Sequence, residues 1–423
     1  MTDTATPTAP AATATAKATA VVTGLSVAAP NGLGTEEYWR ATLRGESGID
    51  RITRFDPGQY PARLAGEIRD FTAADHIPKR LIPQTDHMTR LALATAAWAL
   101  EDASANPAEL PEYGMSVVTA NAYGGFEFGH RELEKLWSLG VNHVSAYQSF
   151  AWFYAVNTGQ ISIRHGMRGP SGVLVSEQAG GLDALGHARR HIRKGTPFVV
   201  TGGVDGALCP WGWVAYLAGG GISERADPGR AFVPFDTDAA GWVPGEGGAI
   251  LVLEDAEAAR ARGVTRTYGE VAGYAAGIDP APGTGRPPAL RRVIEQALTD
   301  ARVRPDEVDA VFADASGLPE SDRAEAEAVT AVFGPGGVPV TAPKTMVGRL
   351  ASGGSALDTA TALLALRDGV IPPTVHVAEL APWCAGLDLV RDEPREAPLR
   401  TALVLARGTG GFTAALVVRK QDG

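Results

Sequence analysis

Cysteine is scarce in this chain: Cys209 and Cys384 are the only two among 423 residues, and neither belongs to a CxxC spacing. That scarcity argues against a disulfide framework and a cysteine-built zinc site, and it fits a reducing, cytoplasmic setting. Long apolar runs are missing as well; none reaches the ~18–20 residues that a membrane span requires. Residues 1–19 are Thr, Ala and Pro with little else. They lack the apolar core of a secretion signal and the arginines of a transit peptide. Having almost nothing to bury, they are expected to be a disordered tail. Basic residues are outnumbered, 38 Lys and Arg against 48 Asp and Glu, for a formal charge of -10. An acidic surface speaks against nucleic acid and anionic membrane as partners.

Glycine, by contrast, is abundant at 51 residues, so tight turns and close backbone approaches are expected. A length of 423 residues exceeds one ordinary core and points to two domains or one large duplicated one. Apolar strands alternate with helices along the chain. Strands are expected at Ala20–Gly24, Met115–Ala120, Gly172–Ser176, Pro197–Thr201, Gly248–Glu254 and Val308–Ala313, with a closing pair at Thr401–Ala406 and Phe412–Arg419. Helices are expected at Thr35–Arg44, Met88–Ala105 (capped by Thr85 or Asp86), Gly125–Leu139, Gln178–Lys194, Leu290–Ala301 and Ser355–Arg367. The alternation reads as parallel α/β layers, and no repeat of solenoid length is visible.

Three segments stand out: Val21–Gly34 (VVTGLSVAAPNGLG), Val233–Glu254 (VPFDTDAAGWVPGEGGAILVLE) and the loop Gly408–Phe412. Together they resemble the β-ketoacyl synthase family, over about residues 20–419. The resemblance implies an α/β, duplicated thiolase-like fold layered α-β-α-β-α, with an N-terminal half at 20–270 and a C-terminal half at 271–423. Members of the family place a cysteine at a strand-to-helix junction, where the helix N-terminus favours the thiolate. Two histidines in later loops hydrogen-bond the thioester oxygen, and a lysine supports them.

In this sequence Gln178 stands in the cysteine's place, within Val175–Gly181 (VSEQAGG). A carboxamide neither ionises near neutral pH nor attacks a thioester. Asp314 replaces the first histidine in Val311–Asp322, where Asp322 and Glu325 still match the family pattern. Arg349 replaces the second in Lys344–Arg349, where Lys344 and Gly348 are retained. No catalytic residue is therefore expected in this chain. Asp314 and Arg349 match positions that face each other in active relatives, so they are expected to pair as buried ions.

The joint loss resembles the chain length factor, or ketosynthase β, subunits of type II aromatic polyketide synthases. That resemblance implies a non-condensing subunit that pairs with a cysteine-bearing ketosynthase as a heterodimer. It would shape the tunnel in which a poly-β-ketoacyl chain grows from malonyl units on an acyl carrier protein. The carrier's phosphopantetheine arm would enter the partner subunit, so neither a directly bound cofactor nor a metal is expected here. A small basic patch would suffice to dock an acidic carrier. The alternative is a Gln-type decarboxylase of malonyl carrier protein that supplies an acetyl primer. Such enzymes keep their histidines, and a decarboxylation enolate needs donors aimed at its oxygen. A carboxylate at Asp314 repels it, even where Arg349 partly compensates.

The segment Ala122–Leu133 resembles the family's tunnel-closing helix. Phe126, Gly129 and Leu133 stand at i, i+3 and i+7 and share one face. Glycine inside a helix costs about 0.5–1 kcal/mol relative to alanine, so Gly129 calls for a reason: an open tunnel or close backbone packing. With Leu133 it implies a roomy gate and a long product, decaketide or beyond. Other features read more plainly. The aromatic run Tyr147–Tyr154 is expected to be core or subunit interface, and Trp211 and Trp213 to be packing. Cys209 sits in a Pro-flanked loop without a helix N-terminus signal and is not expected to be a nucleophile. Gly408–Gly411 lacks the surroundings of a phosphate cradle.

Overall fold

The computed structural model describes residues 18–281 and 283–421. The tail expected over 1–19 therefore lies, as far as residue 17, outside the described residues. The main strands are β1 (Ala20–Ala29), β2 (Met115–Ala120), β3 (Gly172–Leu174), β4 (Phe198–Asp205), β5 (Gly247–Asp255), β6 (Gly269–Ile278), β7 (Ala310–Phe312), β8 (Pro339–Thr341), β9 (Thr401–Arg407) and β10 (Phe412–Arg419). Short strands at Gly32–Leu33 and Asp388–Leu389 complete a 12-stranded mixed sheet. From its centre outward the order is β1, β5, β4, β2, β3 on one side and β6, β10, β9, β7, β8 on the other. Each half uses its first, fifth, fourth, second and third strand in turn, so the duplication is written in the topology.

The reading of purely parallel layers needs correction. β2 runs parallel to β3 and β4, and β7 runs parallel to β8 and β9. The central strands β1, β5, β6 and β10 pair antiparallel throughout. Of these, β1, β5 and β10 are covered on both faces, so they read as apolar runs just as parallel ones do. Apolar pattern alone does not report direction. β3 also differs from its expected form: it is a half-buried edge strand ending at Leu174, and Val175 beyond it is 45% exposed.

The helices that matter are α1 (His87–Asp102), α2 (Phe126–Leu139), α3 (Val156–His165), α4 (Gly180–Arg193), α5 (Pro210–Gly219), α6 (Leu290–Ala301), α7 (Pro319–Phe333) and α8 (Ser352–Asp368). α4 and α8 lie between the halves and pack on strands of both. α1 and α3 cover the outer face of the first half, while α6, with α7 against it, covers the second. The layering is thus α-β-α-β-α. α8 is buried all round from Ser352 to Leu366, which suits its run of Ala, Gly, Ser, Thr and Leu. Gly181 lets α4 cross it closely, since a Cβ there would come within 2.4 Å of the Ala356 nitrogen. No helix among the described residues is long and apolar enough to cross a membrane.

Candidate functional site

The candidate site forms where strands end. β3 leads into Gln178, β7 into Asp314, and β8 into Lys344 and Arg349. Each of these three connections contains a non-glycine residue with left-handed backbone: Glu177 (φ 50°), Ala315 (φ 47°) and Ala351 (φ 48°). Such conformations cost on the order of 1–3 kcal/mol each and persist only where the surroundings dictate them. Here they do. The Glu177 carbonyl accepts from Ser352 Oγ at 3.0 Å, and the Gln178 carbonyl accepts from Ser355 Oγ at 2.7 Å. Glu177 Oε2 accepts the Thr409 N–H at 2.9 Å, which ties in the C-terminal glycine loop.

Gln178 lies in a one-turn 3-10 segment, Glu177–Ala179, and the α-helix proper begins at Gly180. Its carboxamide is buried and donates to Glu177 Oε1 at 2.9 Å. It has a donor role and no nucleophilic one. Gln178→Cys is expected to give no carbon–carbon bond formation by this chain, because the donors that would stabilise the reacting oxygen remain absent; product analysis with the chain alone checks it.

Asp314 and Arg349 form a buried, two-pronged ion pair. Arg349 Nη1 donates to Asp314 Oδ2 and Nη2 to Oδ1, each at 3.2 Å. The same guanidinium donates to the Asp314 and Arg407 carbonyls at 3.0 Å, and Asp314 Oδ1 accepts the Arg407 N–H at 2.9 Å. Burial pushes the Asp314 carboxyl up most strongly, but the Arg349 and Lys344 charges and the Arg407 N–H outweigh it and leave it below the usual range. Lys344 is ion-paired to Asp358 of α8 at 2.8 Å. Both members of the pair are engaged with each other and with the backbone, so neither stands as a free proton donor or base.

Glu325 of α7 clamps this loop from behind, accepting the N–H groups of Asp314 at 2.7 Å and Ala315 at 2.8 Å. Burial, and then the Asp314 charge, push its carboxyl up to about 7. The folded protein holds that proton at pH values where the unfolded chain has released it. Stability tied to Glu325 is therefore full below the ordinary carboxylate range and is lost as pH rises towards 7. Asp314→Ala removes one cause of the rise. The fall in melting temperature between pH 5 and 7 is then expected to be shallower in the variant than in the parent, and parallel slopes would place the proton elsewhere.

Asp205, at the end of β4, is a second hub that sequence reasoning passed over. It accepts N–H groups from Ala122 at 2.7 Å, Gly206 at 3.0 Å and Ser352 at 3.2 Å. Burial raises it to about 6 against those bonds. An Asp closing an apolar strand was the available signal. Over the site lies a cavity of about 730 Å³, bordered by Tyr123, Glu177, Asp314, Arg349 and Phe412 among others. No cluster of His, Cys, Asp and Glu among the described residues has the makings of a metal site.

α2 begins beside this cavity. Asp86 caps α1 by accepting Met88 N–H at 2.8 Å and holds α2 through the Phe128 N–H at 2.7 Å. Phe126 stacks on Trp211 of α5, with ring centroids 4.2 Å apart. A Cβ on Gly129 would lie 3.6 Å from Trp152 Cβ and from Trp211 Cζ3, and 3.8 Å from Gln148 Nε2. Close backbone packing is therefore not what glycine serves there; two indole side chains stand opposite it. Leu133 is half-buried on the same helix. Trp213 is core, as expected, but Trp211 is 42% exposed and forms this wall. Residues two apart on a helix face different sides, which was the signal to separate them. Cys209 caps α5, its Sγ accepting from Gly212 N–H, which corrects the reading of a plain loop. Burial nevertheless raises its thiol to about 11, so no thiolate forms near neutrality.

A strand-to-helix junction at the strand ends of a duplicated α/β scaffold, here carrying Gln178, defines a protein of ketosynthase type. Sequence comparison agrees. The profile of the β-ketoacyl synthase N-terminal domain matches residues 18–259, and that of the C-terminal domain matches 268–378. The actinorhodin polyketide β-ketoacyl synthase 2 of Streptomyces coelicolor is 63% identical, over 95% of this chain and 98% of its own. The tetracenomycin polyketide synthase ketoacyl synthase beta subunit of Streptomyces glaucescens is 61% identical, over 96% of this chain and 99% of its own. Among solved structures, the ishigamide ketosynthase/chain length factor matches with a TM-score of 0.87 at 28% identity, over 96% of this chain and 100% of that one. The chain belongs to the β-ketoacyl synthase family, in its ketosynthase β or chain length factor branch.

Proposed function

We propose that this chain is the non-condensing subunit of a type II polyketide synthase, completing a cysteine-bearing ketosynthase as a heterodimer and setting the length of the poly-β-ketoacyl chain. The observation that carries this reading is the Asp314–Arg349 pair, which closes both histidine positions around an inert Gln178. The fold around it is kept in a strained, fully braced form, which suits a shape retained for assembly. Phe126, Gly129 and Leu133, with Trp211 opposite, serve as the length gate. The surface supports a partner: Trp137 is 84% exposed and Trp152 49%, and β3 is a half-buried edge strand. Apolar surface of this kind marks protein contact sites.

In this reading the carrier protein's phosphopantetheine arm enters the partner, this chain binds no cofactor directly, and the complex works in the cytoplasm. The chain divides near residue 270, where β6 (Gly269–Ile278) starts the second copy of the strand order. The decarboxylase alternative fares poorly, since Asp314 and Glu177 present carboxylates to an incoming malonyl group. The test is co-expression with a cysteine-bearing ketosynthase of similar length. Equimolar co-purification, with polyketide made only when both chains are present, is expected. Carbon dioxide release from malonyl carrier protein by this chain alone, at the rate of the complex, would overturn the reading.

A further inference from the structure

The helix α2, which carries Phe126, Gly129 and Leu133, is held to the body of the protein at few points. Of its 14 residues only Phe128, Gly129 and Glu132 are buried. Gly129, at the centre of the gate, has no side chain to anchor it. The helix also starts without a cap of its own: its N-cap residue is Gly125, and no side-chain cap bond is made there. The N–H groups of a first turn have no acceptor inside their helix, so other groups have to take them.

The Phe128 N–H is taken from outside. Asp86 accepts it through Oδ2 at 2.7 Å. Its other oxygen, Oδ1, accepts the Met88 N–H at 2.8 Å and so caps α1. One carboxylate thus caps two helices, and each helix N-terminus carries the partial positive charge that favours an anion. Asp86 is 1% exposed, so water has little access to either bond. The two helices differ in how firmly they are set. α1 lies on β1 and β5 of the central sheet, with residues from Met88 to Leu100 buried along it. α2 is the looser member of the pair. Gly124 and Gly125 fix where it begins, against the backbone of residues 151–154. The Asp86 bond falls three residues further on, and a second fixed point is what sets the direction of a helix. The turn that holds Gly129 is therefore aligned to the core through Asp86.

We propose that Asp86 is a positioning residue for chain length: it holds α2 at one angle, so that the gate admits one length of product. The inference rests on the reading of α2 as the length gate, and the experiment separates the two. Asp86→Ser keeps a cap for α1, since serine caps about as well as aspartate, but a single hydroxyl cannot serve both N–H groups. Asp255→Ala is the matched control. It removes a helix cap made to the N–H groups of Glu257 and Ala258, at the end of β5 remote from Gly247, which pairs with the Asp205 that holds the lead-in to α2. In the full-length Asp86→Ser chain, hydrogen exchange over residues 126–133 is expected to be faster by about tenfold, the worth of a hydrogen bond to a charged group, with α1 unchanged. In its complex with a cysteine-bearing ketosynthase, the product distribution is expected to broaden to lengths on either side of the parent's main product. Asp255→Ala is expected to match the parent in both measurements. Unchanged lengths in Asp86→Ser, where Gly129→Phe shortens the product, overturn the proposal and leave the gate standing. Unchanged lengths in both overturn the gate and the proposal together. Broadening in Asp255→Ala as well assigns the effect to lost stability and overturns the proposal. Should the Asp86→Ser chain fold but not assemble, exchange over 126–133 decides, and the parent's rate there overturns the proposal. Should it not fold, Asp86→Asn, which keeps the shape and only one acceptor oxygen, takes its place in both measurements.

Discussion

Replacing Asp314 with alanine is expected to destabilise this protein by about 3–5 kcal/mol, the usual consequence of removing one member of a buried ion pair. The reason is the state of what remains. The Arg349 guanidinium is buried, and without Asp314 it keeps only the carbonyls of residues 314 and 407 as acceptors. The Arg407 N–H, now bonded to Asp314 Oδ1 at 2.9 Å, loses its acceptor too. The loop that holds Asp314 also carries the N–H groups that Glu325 clamps. Removing both charges is a different matter. Asp314→Ala combined with Arg349→Met replaces an ion pair with apolar volume, a change that is often near neutral. A lower denaturation midpoint for the single variant, largely restored in the double variant, is the expected pattern. A single variant with the parent's midpoint would show that the pair carries no structural role.

Much of this arrangement was legible in the chain itself, and the limits have physical causes. The junction at Gln178, the loop at Asp314 and the Lys344–Arg349 turn are local, so their substitutions could be read directly, and their pairing follows from the fold they resemble. Helix positions were readable from period and caps: Asp86 does cap α1, and Leu290–Ala301 runs as expected. Strand direction was not, because β5 and β10 are buried on both faces. The edge character of β3 was hidden for a similar reason: Val173 and Leu174 are apolar whether they face a core or a partner. Trp211 escaped notice because a tryptophan beside Trp213 reads as packing until the helix separates their faces. Asp205 and Glu325 act through backbone N–H groups that the fold brings to them, those of Ala122, Gly206 and Ser352 for the first and of Asp314 and Ala315 for the second, partners that are not read from the residue itself.

Gly129→Phe is expected to shorten the major polyketide made by the heterodimer, and the geometry around Gly129 says why alanine should not. A single Cβ would sit 3.6 Å from Trp152 Cβ and Trp211 Cζ3, ordinary van der Waals contact, so Gly129→Ala fits without rearrangement. It should raise stability slightly, by about 0.5–1 kcal/mol from helix preference, and leave product length unchanged. A benzyl group has to extend past that first contact, between Phe126, which is stacked on Trp211, and Leu133 one turn further on. The α2 backbone cannot retreat to admit it. Gly125, at its start, already lies so close to Ala151 that a Cβ there would fall 1.8 Å from the Ala151 carbonyl oxygen, and its N–H is bonded to the Trp152 carbonyl at 3.0 Å. The added ring must therefore take up space on the Trp211 side, where a growing chain would otherwise advance. Trp211→Ala opens the same wall and should act in the opposite sense, lengthening the product. Product masses from the complexes carrying Gly129→Ala, Gly129→Phe and Trp211→Ala decide the matter. If Gly129→Phe assembles with its partner and the product mass stays the same, the gate lies elsewhere, and Gly129 answers only to the packing of Trp152 and Trp211.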